Sequence, residues 1–151
     1  MRISAKADYA VRALMELARS EGDPLTAERI SAAQDIPRGF LLAILAEMRR
    51  ANLVRSQRGQ SGGWLLATPP EAVSVADIIR AVEGPLATVH GRRPEAVTYD
   101  DRTVQLQQVW VAVRASLRDV LEHVTVAHLA SGRLPRQVTA RTGRDDAWQS
   151  H

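Results

Sequence analysis

Residues 27–63 constrain the fold of this chain more than any other part of it. Segments 27–34 and 38–50 place apolar residues three and four positions apart, which predicts two short amphipathic helices. Residues 35–37 between them predict a tight turn, because a proline pushes the preceding residue out of helical geometry. Strand-like runs at 53–57 and 64–67 follow, joined by RGQSGG at 58–63, whose glycines permit the backbone angles of a hairpin loop.

This order of elements predicts a winged helix-turn-helix, a mainly α fold with a small β-hairpin. An amphipathic helix is predicted over 5–20, and Ser74 with Asp77 forms a capping-box pattern that opens a short helix ending at Gly84. We assign residues 1–84 to this domain, whose predicted fold is typical of DNA-binding proteins. The core side of the third helix is expected to carry Phe40, Leu41, Ile44, Leu45 and Met48.

The remaining chain contains its longest amphipathic pattern. Residues 85–102 predict a loop, residues 103–131 a long helix with a final short turn capped by Thr125, and the polar residues 132–151 a disordered tail. The long helix needs a surface to cover its apolar stripe, and we expect that surface to be the same helix of a second copy. The alternative is lengthwise packing against its own first helix. The predicted dimer interface comprises Leu106, Val109, Val113, Leu117, Val120 and Val124.

Composition narrows the possible functions. The chain has 151 residues and no cysteine, which excludes disulfides, cysteine-ligated zinc or iron-sulfur clusters and thiol catalysis. His123 and His128 are five positions apart, which does not stack them on one helical face, so no metal site or other cofactor is predicted. No catalytic motif is present, and we predict that the chain is not an enzyme. Since no run of 18 apolar residues occurs, we expect a cytoplasmic protein without a membrane span or secretory signal.

Charge points to a polyanionic partner. The formal net charge is +3, but residues 36–58 contain five arginines and a single glutamate, a local charge of +4. A basic patch on a nearly neutral chain favours double-stranded DNA bound by one face. A solvated charged surface is the alternative interpretation of the same pattern.

The predicted DNA contacts come from three places. The third helix would enter the major groove with a face that has few hydrogen-bonding groups, and Arg58 at the base of the hairpin would enter the minor groove. Side chains at the hairpin tip and near the first helix would bind phosphates or base edges. The predicted set is Arg2, Lys6, Arg38, Gly39, Leu42, Ala43, Arg49, Arg58, Gln60, Ser61 and Gly62.

Several motifs give the chain a family resemblance. The motifs are MRIS at 1–4, DYAVRAL at 8–14, ANLV at 51–54, RGQSGGWLL at 58–66 and VTVAHL at 124–129. With them the chain resembles the Rrf2 family of bacterial transcription regulators, the IscR, NsrR and CymR-like proteins, from residue 1 to about 130. The resemblance implies a homodimeric, sequence-specific DNA-binding regulator, which we expect to repress transcription from a palindromic operator.

Many members of that family sense iron, nitric oxide or redox state through a cluster bound by three cysteines in the loop before the dimerisation helix. The resemblance places His90 near the first of these cysteines and Val104 near the last, so the standard cluster cannot form here. Asp8 matches a further ligand position that some relatives supply from the partner subunit, and we expect it to serve in a surface ion pair instead. Any small-molecule or protein effector is expected at residues 86–102.

One alternative function of a different class stays open. In this interpretation, the same winged fold binds a partner protein instead of DNA. The third helix allows this because its outward face has few hydrogen-bond donors and acceptors.

Overall fold

The computed structural model describes residues 2–149 and has the predicted winged helix-turn-helix architecture, mainly helical with one small sheet. Short 3₁₀ turns occupy Pro70–Ala72, Pro94–Ala96 and Asp145–Trp148. No helix within these residues has the length and apolarity to cross a membrane. The main elements are α1 (Ala5–Arg19), α2 (Ala27–Gln34), α3 (Arg38–Arg50), β1 (Val54–Gln57), β2 (Gly63–Leu66), α4 (Val75–Glu83), α5 (Gln105–Leu121), α6 (Val126–Ser131) and α7 (Arg136–Thr142).

Hydroxyl side chains cap α2, α4 and α6, and the caps of α4 and α6 lie at the positions that the sequence predicts. Thr26 accepts a hydrogen bond from the Arg29 amide at the start of α2, and Ser74 forms a reciprocal capping box with Asp77 at the start of α4. Thr125 caps α6, which ends at Ser131, close to the predicted last turn. Such caps satisfy amide groups that the first helical turn leaves without partners.

Left-handed residues end α2 and α3. Asp35 (φ 50°) and Asn52 (φ 57°) adopt the conformation that Asp and Asn tolerate better than other non-glycine residues. After each, a backbone amide bonds back to the last turn: Ile36 to the Ser31 carbonyl at 3.1 Å, and Leu53 to the Met48 carbonyl at 2.9 Å. These two caps set the angle between α2 and α3 and direct the chain from α3 into β1.

The core surrounds α1, which packs against α2, α3, α4 and α6. The predicted apolar face of α3 is buried as expected, with Leu41, Ile44, Leu45 and Met48 fully buried. The prediction for Phe40 is wrong, because its side chain is 52% exposed and only its neighbour Leu41 enters the core. At about 100° per residue, the four buried side chains occupy an arc of about 100° around the helix axis, and Phe40 lies about 40° beyond the edge of that arc.

α5 lies apart from this core and buries none of its residues. It lies mainly against α4 and the Pro94–Ala96 turn, so the alternative of lengthwise packing on α1 is wrong. The predicted interface also loses its last member. Val124 follows the helix and is buried in its own chain, where its carbonyl accepts a hydrogen bond from the Val75 amide at 2.8 Å.

The tail differs from the predicted disorder over 132–151. α7 lies beside the end of α5, with Gln137 donating to the Asp119 carbonyl at 3.1 Å and Arg141 paired with the Asp119 carboxylate. The polar composition of the tail concealed this helix, since contacts with α5 contribute to holding it. Residues 150–151 lie outside the described residues.

Candidate nucleic-acid interface

The hairpin has the geometry of a wing. β1 and β2 are antiparallel, with Val54 opposite Leu66 and Gln57 opposite Gly63. The loop between them closes through a hydrogen bond from the Gly62 amide to the Gly59 carbonyl at 3.0 Å. Gly59 has φ +110°, and a Cβ atom on Gly62 would lie 2.4 Å from the Gln57 carbonyl oxygen. The tight loop therefore requires glycine at these two positions.

A backbone bridge anchors the wing to the rest of the domain. Leu25, just before α2, exchanges two hydrogen bonds with Trp64 on β2, at 3.0 and 2.7 Å. A Cβ atom on Gly63 would lie 2.6 Å from the Leu25 carbonyl oxygen, so this approach requires a glycine. Arg49 at the end of α3 stacks on the Trp64 ring, with its guanidinium carbon 6.0 Å from the ring centroid. Arg49 and Trp64 thereby link the end of α3 to the wing.

The wing presents polar side chains to solvent. Arg58, Gln60 and Ser61 are exposed, whereas Gly62 is half-buried by its own loop. Arg55 on β1 is exposed as well, although the predicted contact set omits it. Its exposure could have been predicted from the sequence. Successive strand residues face opposite sides of a sheet, and Arg55 directly follows the apolar Val54.

The outward face of α3 is largely apolar. Arg38, Gly39 and Ala43 are exposed, while Leu42 is half-buried against the core. Arg38 forms an ion pair with Glu28 of α2 at 2.6 Å. The pKa of the Glu28 carboxylate lies below its usual value. The largest cause is a hydrogen bond from the backbone amide of Glu28 itself, and the next is the hydrogen bond from the Arg38 guanidinium. Both side chains are about 60% exposed, so solvent screens this pair and Arg38 can exchange Glu28 for another anion.

An aromatic pair, exposed Phe40 and half-buried Tyr9, lies beside that face. Phe40 packs edge to face on Tyr9 of α1 with ring centroids 6.1 Å apart, and the Arg12 guanidinium lies 5.5 Å from the Tyr9 ring centroid. The apolar pattern of α3 assigns Phe40 to the core side of the helix, so its exposure at the surface could not be predicted from that pattern.

The two predicted phosphate contacts near the N-terminus differ in their surroundings. Arg2 is exposed. Lys6 is half-buried and its Nζ lies 2.7 and 2.9 Å from the two carboxylate oxygens of Glu47, while also donating to the Val82 carbonyl at 2.7 Å. Because its ammonium group is committed to contacts within the protein, we do not propose Lys6 as a DNA contact.

The loop and histidine positions show no convergent ligand set. His90 and Val104 are exposed, and Asp8 forms the expected ion pair with Arg12 at 3.1 Å. The His128 ring nitrogen accepts from the Thr125 amide in the α6 capping box. Within residues 2–149, no three His, Cys, Asp or Glu side chains are grouped so that they could hold a metal ion.

α5 presents the apolar stripe that the sequence predicts. Leu106, Val109 and Val113 are exposed, with Val109 at 51%, whereas Leu117 and Val120 are half-buried. Large exposed apolar residues aligned on one helix face are typical of a protein interface.

Comparisons with known proteins agree on one family. The family named Rrf2, described as "Iron-dependent Transcriptional regulator", matches residues 3–132. Rv1287 of Mycobacterium tuberculosis, whose name describes it as an HTH-type transcriptional regulator, is 46% identical over 139 residues, covering 91% of this chain and 86% of its own length. The HTH-type transcriptional regulator CymR of Bacillus subtilis is 31% identical over 132 residues, covering 87% of this chain and 91% of its own.

Solved structures lead to the same group. The structure of CymR, titled the global cysteine regulator of B. subtilis, superposes with a TM-score of 0.74 at 31% identity and covers 89% of this chain and 99% of that one. The IscR structure of T. potens has a TM-score of 0.70 at 29% identity, with coverage of 93% and 96%. The chain therefore matches these regulators along nearly all of its length.

The iron in the family description does not fit the residues of this chain. A cysteine-ligated cluster requires thiolates, and the sequence contains no cysteine. The loop positions that the resemblance aligns with two of the ligands carry an exposed histidine and an exposed valine.

Proposed function

This chain belongs to the Rrf2 family of transcriptional regulators, and from that premise we propose that it binds a palindromic operator as a homodimer and represses transcription. Its family consists of DNA-binding regulators and is non-enzymatic. The observation that carries the proposal is the basic, exposed wing, which a backbone bridge joins to the start of α2 and the Arg49–Trp64 contact joins to the end of α3.

In this proposal α3 binds the major groove and the wing binds the minor groove. The small side chains of Gly39 and Ala43 let α3 approach the floor of the major groove, where Ala43 and Leu42 contact thymine methyl groups. Arg38 exchanges Glu28 for a guanine edge or a phosphate. Sequence preference then depends on few base contacts and on DNA shape, because this face has few hydrogen-bonding groups.

The wing binds the neighbouring minor groove. Arg58 enters it from a loop that carries no bulky side chain, and a narrow minor groove has the strongest negative potential. Gln60 and Ser61 at the tip contact phosphates or base edges, and Arg2 and Arg49 contact phosphates on either side.

The apolar stripe of α5 joins the two subunits. Leu106, Val109 and Val113 are exposed in the single chain and become buried against the same residues of a second copy. A two-fold dimer places its α3 helices about 34 Å apart, one turn of DNA, which makes the operator palindromic. A dimer that covers two half-sites within a promoter blocks access of the polymerase, and repression follows.

The test uses Arg58→Ala, Arg38→Ala and the double variant, with Arg92→Ala as a matched control from an exposed loop outside the proposed surface. We expect each single variant to weaken binding to a promoter fragment about tenfold and the double variant more, while Arg92→Ala binds like wild type. Fluorescence anisotropy at two salt concentrations measures this, and the slope against salt becomes shallower as phosphate contacts are lost. A dimeric double variant with wild-type DNA affinity would contradict the proposal.

One observation favours a second candidate function, recruitment of a partner protein. Phe40 is 52% exposed beside an α3 face that has few hydrogen-bonding groups, which suits an apolar protein contact. Unchanged DNA binding in the Arg38 and Arg58 variants, together with loss of a co-purified partner in Phe40→Ala, would support this second function.

A further inference from the structure

Four arginines line a cleft between the DNA-binding domain and α5. Arg80 comes from α4, Arg93 from the loop that precedes α5, and Arg114 and Arg118 from α5 itself, while residues 84–86 form part of the wall. The four guanidinium groups thus come from three separate elements. Their proximity depends on the tertiary fold and not on the spacing of arginines along one helix. The proposed DNA contacts do not use this cleft.

Carboxylates neutralise part of this charge. Glu95 pairs with Arg114, and Glu122 accepts hydrogen bonds from both Arg80 and Arg118. Asp77 lies 3.4 Å from Arg80, and neither Asp77 nor Glu122 lines the cleft itself. Four guanidinium groups therefore share three carboxylates, and one positive charge remains.

Arg93 carries the remaining charge. Its side chain forms no hydrogen bond or ion pair with the residues that the structure describes, and it acts on Glu95 only at longer range. Arg114 is the most buried of the four, with a side chain 21% exposed. Converging like charges repel one another, and an anion between them relieves that repulsion. The planar guanidinium group binds phosphate oxygens in pairs, which makes phosphate a fitting occupant.

We propose that this arginine cleft binds a small molecule through a phosphate group and that its occupancy regulates DNA binding. The regulatory half rests on the proposed function. The end of α4 connects the cleft to the proposed DNA-contacting helix, because Gly84 in the cleft wall lies two residues after Val82. The Val82 carbonyl accepts from Lys6, which pairs with Glu47 of α3. A ligand that moves the end of α4 therefore acts on α3 through one lysine.

The experiment titrates inorganic pyrophosphate into the full-length protein by isothermal titration calorimetry at constant ionic strength. Arg93→Gln removes the guanidinium group that lacks a partner, and Arg92→Gln removes the same charge one residue away, outside the cleft. We expect wild type and Arg92→Gln to bind pyrophosphate alike and Arg93→Gln at least tenfold more weakly. Absence of binding by wild type, or equal loss in both variants, would overturn the site.

DNA binding is measured separately, with and without pyrophosphate. We expect Arg93→Gln to match wild type in the absence of pyrophosphate and to lose the change in DNA affinity that pyrophosphate causes in wild type. If Arg93→Gln weakens DNA binding without pyrophosphate, Arg93 contributes to the DNA-contacting surface and the regulatory role of the cleft is overturned. Because calorimetry needs no DNA, failure of the proposed operator binding leaves the pyrophosphate result intact.

Discussion

Gly63 lies where two backbones approach each other too closely for a side chain. Its missing Cβ atom would lie 2.6 Å from the carbonyl oxygen of Leu25, on a bridge whose two hydrogen bonds attach the wing to the start of α2. Backbone atoms on both sides of the contact leave no flexible group that can move aside. Glycine is thus required in this hairpin for two different reasons. Gly59 has a positive φ, and at Gly62 and Gly63 a Cβ atom would clash with nearby backbone atoms.

Gly63→Ala should lower the free energy of unfolding by about 1–3 kcal/mol, because the added methyl group forces the Leu25–Trp64 bridge apart. Gly39→Ala is the matched control, since its Cβ would meet nothing within 4 Å and alanine favours a helix. The control should raise stability by about 0.5–1 kcal/mol. Urea unfolding followed by circular dichroism measures both, and equal stability of the two variants would contradict this account.

At the scale of elements, charged contacts hold α5 to the DNA-binding domain. Glu122, just after α5, accepts from Arg118 one turn earlier and from Arg80 of α4. The hydrogen bond from Arg118, and then that from Arg80, lower the pKa of Glu122 to about 2. Its pKa in the folded chain is thus below the unfolded value of about 4.3. The contribution to stability is therefore present above that unfolded value and is lost as pH falls toward 2.

Arg118→Gln should raise the pKa of Glu122 toward its usual value, because the variant removes the largest cause of the shift. NMR titration of the Glu122 carboxyl carbon measures it, with a midpoint at about 2 expected in wild type. Arg102→Gln, an exposed arginine before α5, should leave the midpoint unchanged. The same midpoint in Arg118→Gln and wild type would show that Arg118 does not hold this carboxylate.

At the scale of the whole molecule, the exposed apolar stripe of α5 has no partner within a single chain. Leu106, Val109 and Val113 lie within about 60° of one another around the helix axis, whereas Val111 lies about 140° from Leu106. All four side chains are exposed in the single chain. Only the first three belong to the proposed dimer interface, which gives a direct comparison between two valines of one helix.

Val109→Asp should convert the dimer into a folded monomer, because dimerisation would bury an unpaired carboxylate. Val111→Asp carries the same substitution on the opposite side of the helix and should stay dimeric. Sedimentation equilibrium measures the mass, and operator affinity should fall with loss of the dimer. A dimeric Val109→Asp, or a monomeric wild type, would contradict the proposed assembly.

Much of the fold could be predicted because its determinants are local. The caps at Thr26, Ser74 and Thr125 and the turn at Asp35 depend on residues within five positions of one another. Their patterns therefore show in the chain itself. The candidate DNA surface followed from the same local order of helix, turn, helix and glycine-rich hairpin.

Sequence alone determined the helices from α1 to α6, though not α7, and where the wing turns, because those choices depend on hydrogen bonds and backbone angles between near neighbours. Tertiary structure decided which side chains meet. It paired Lys6 with Glu47, buried Val124 within its own chain, exposed Phe40 and brought Arg80, Arg93 and Arg114 to one cleft. These contacts join residues distant in the chain or depend on the direction of a helix against its neighbours, and no short-range pattern encodes either.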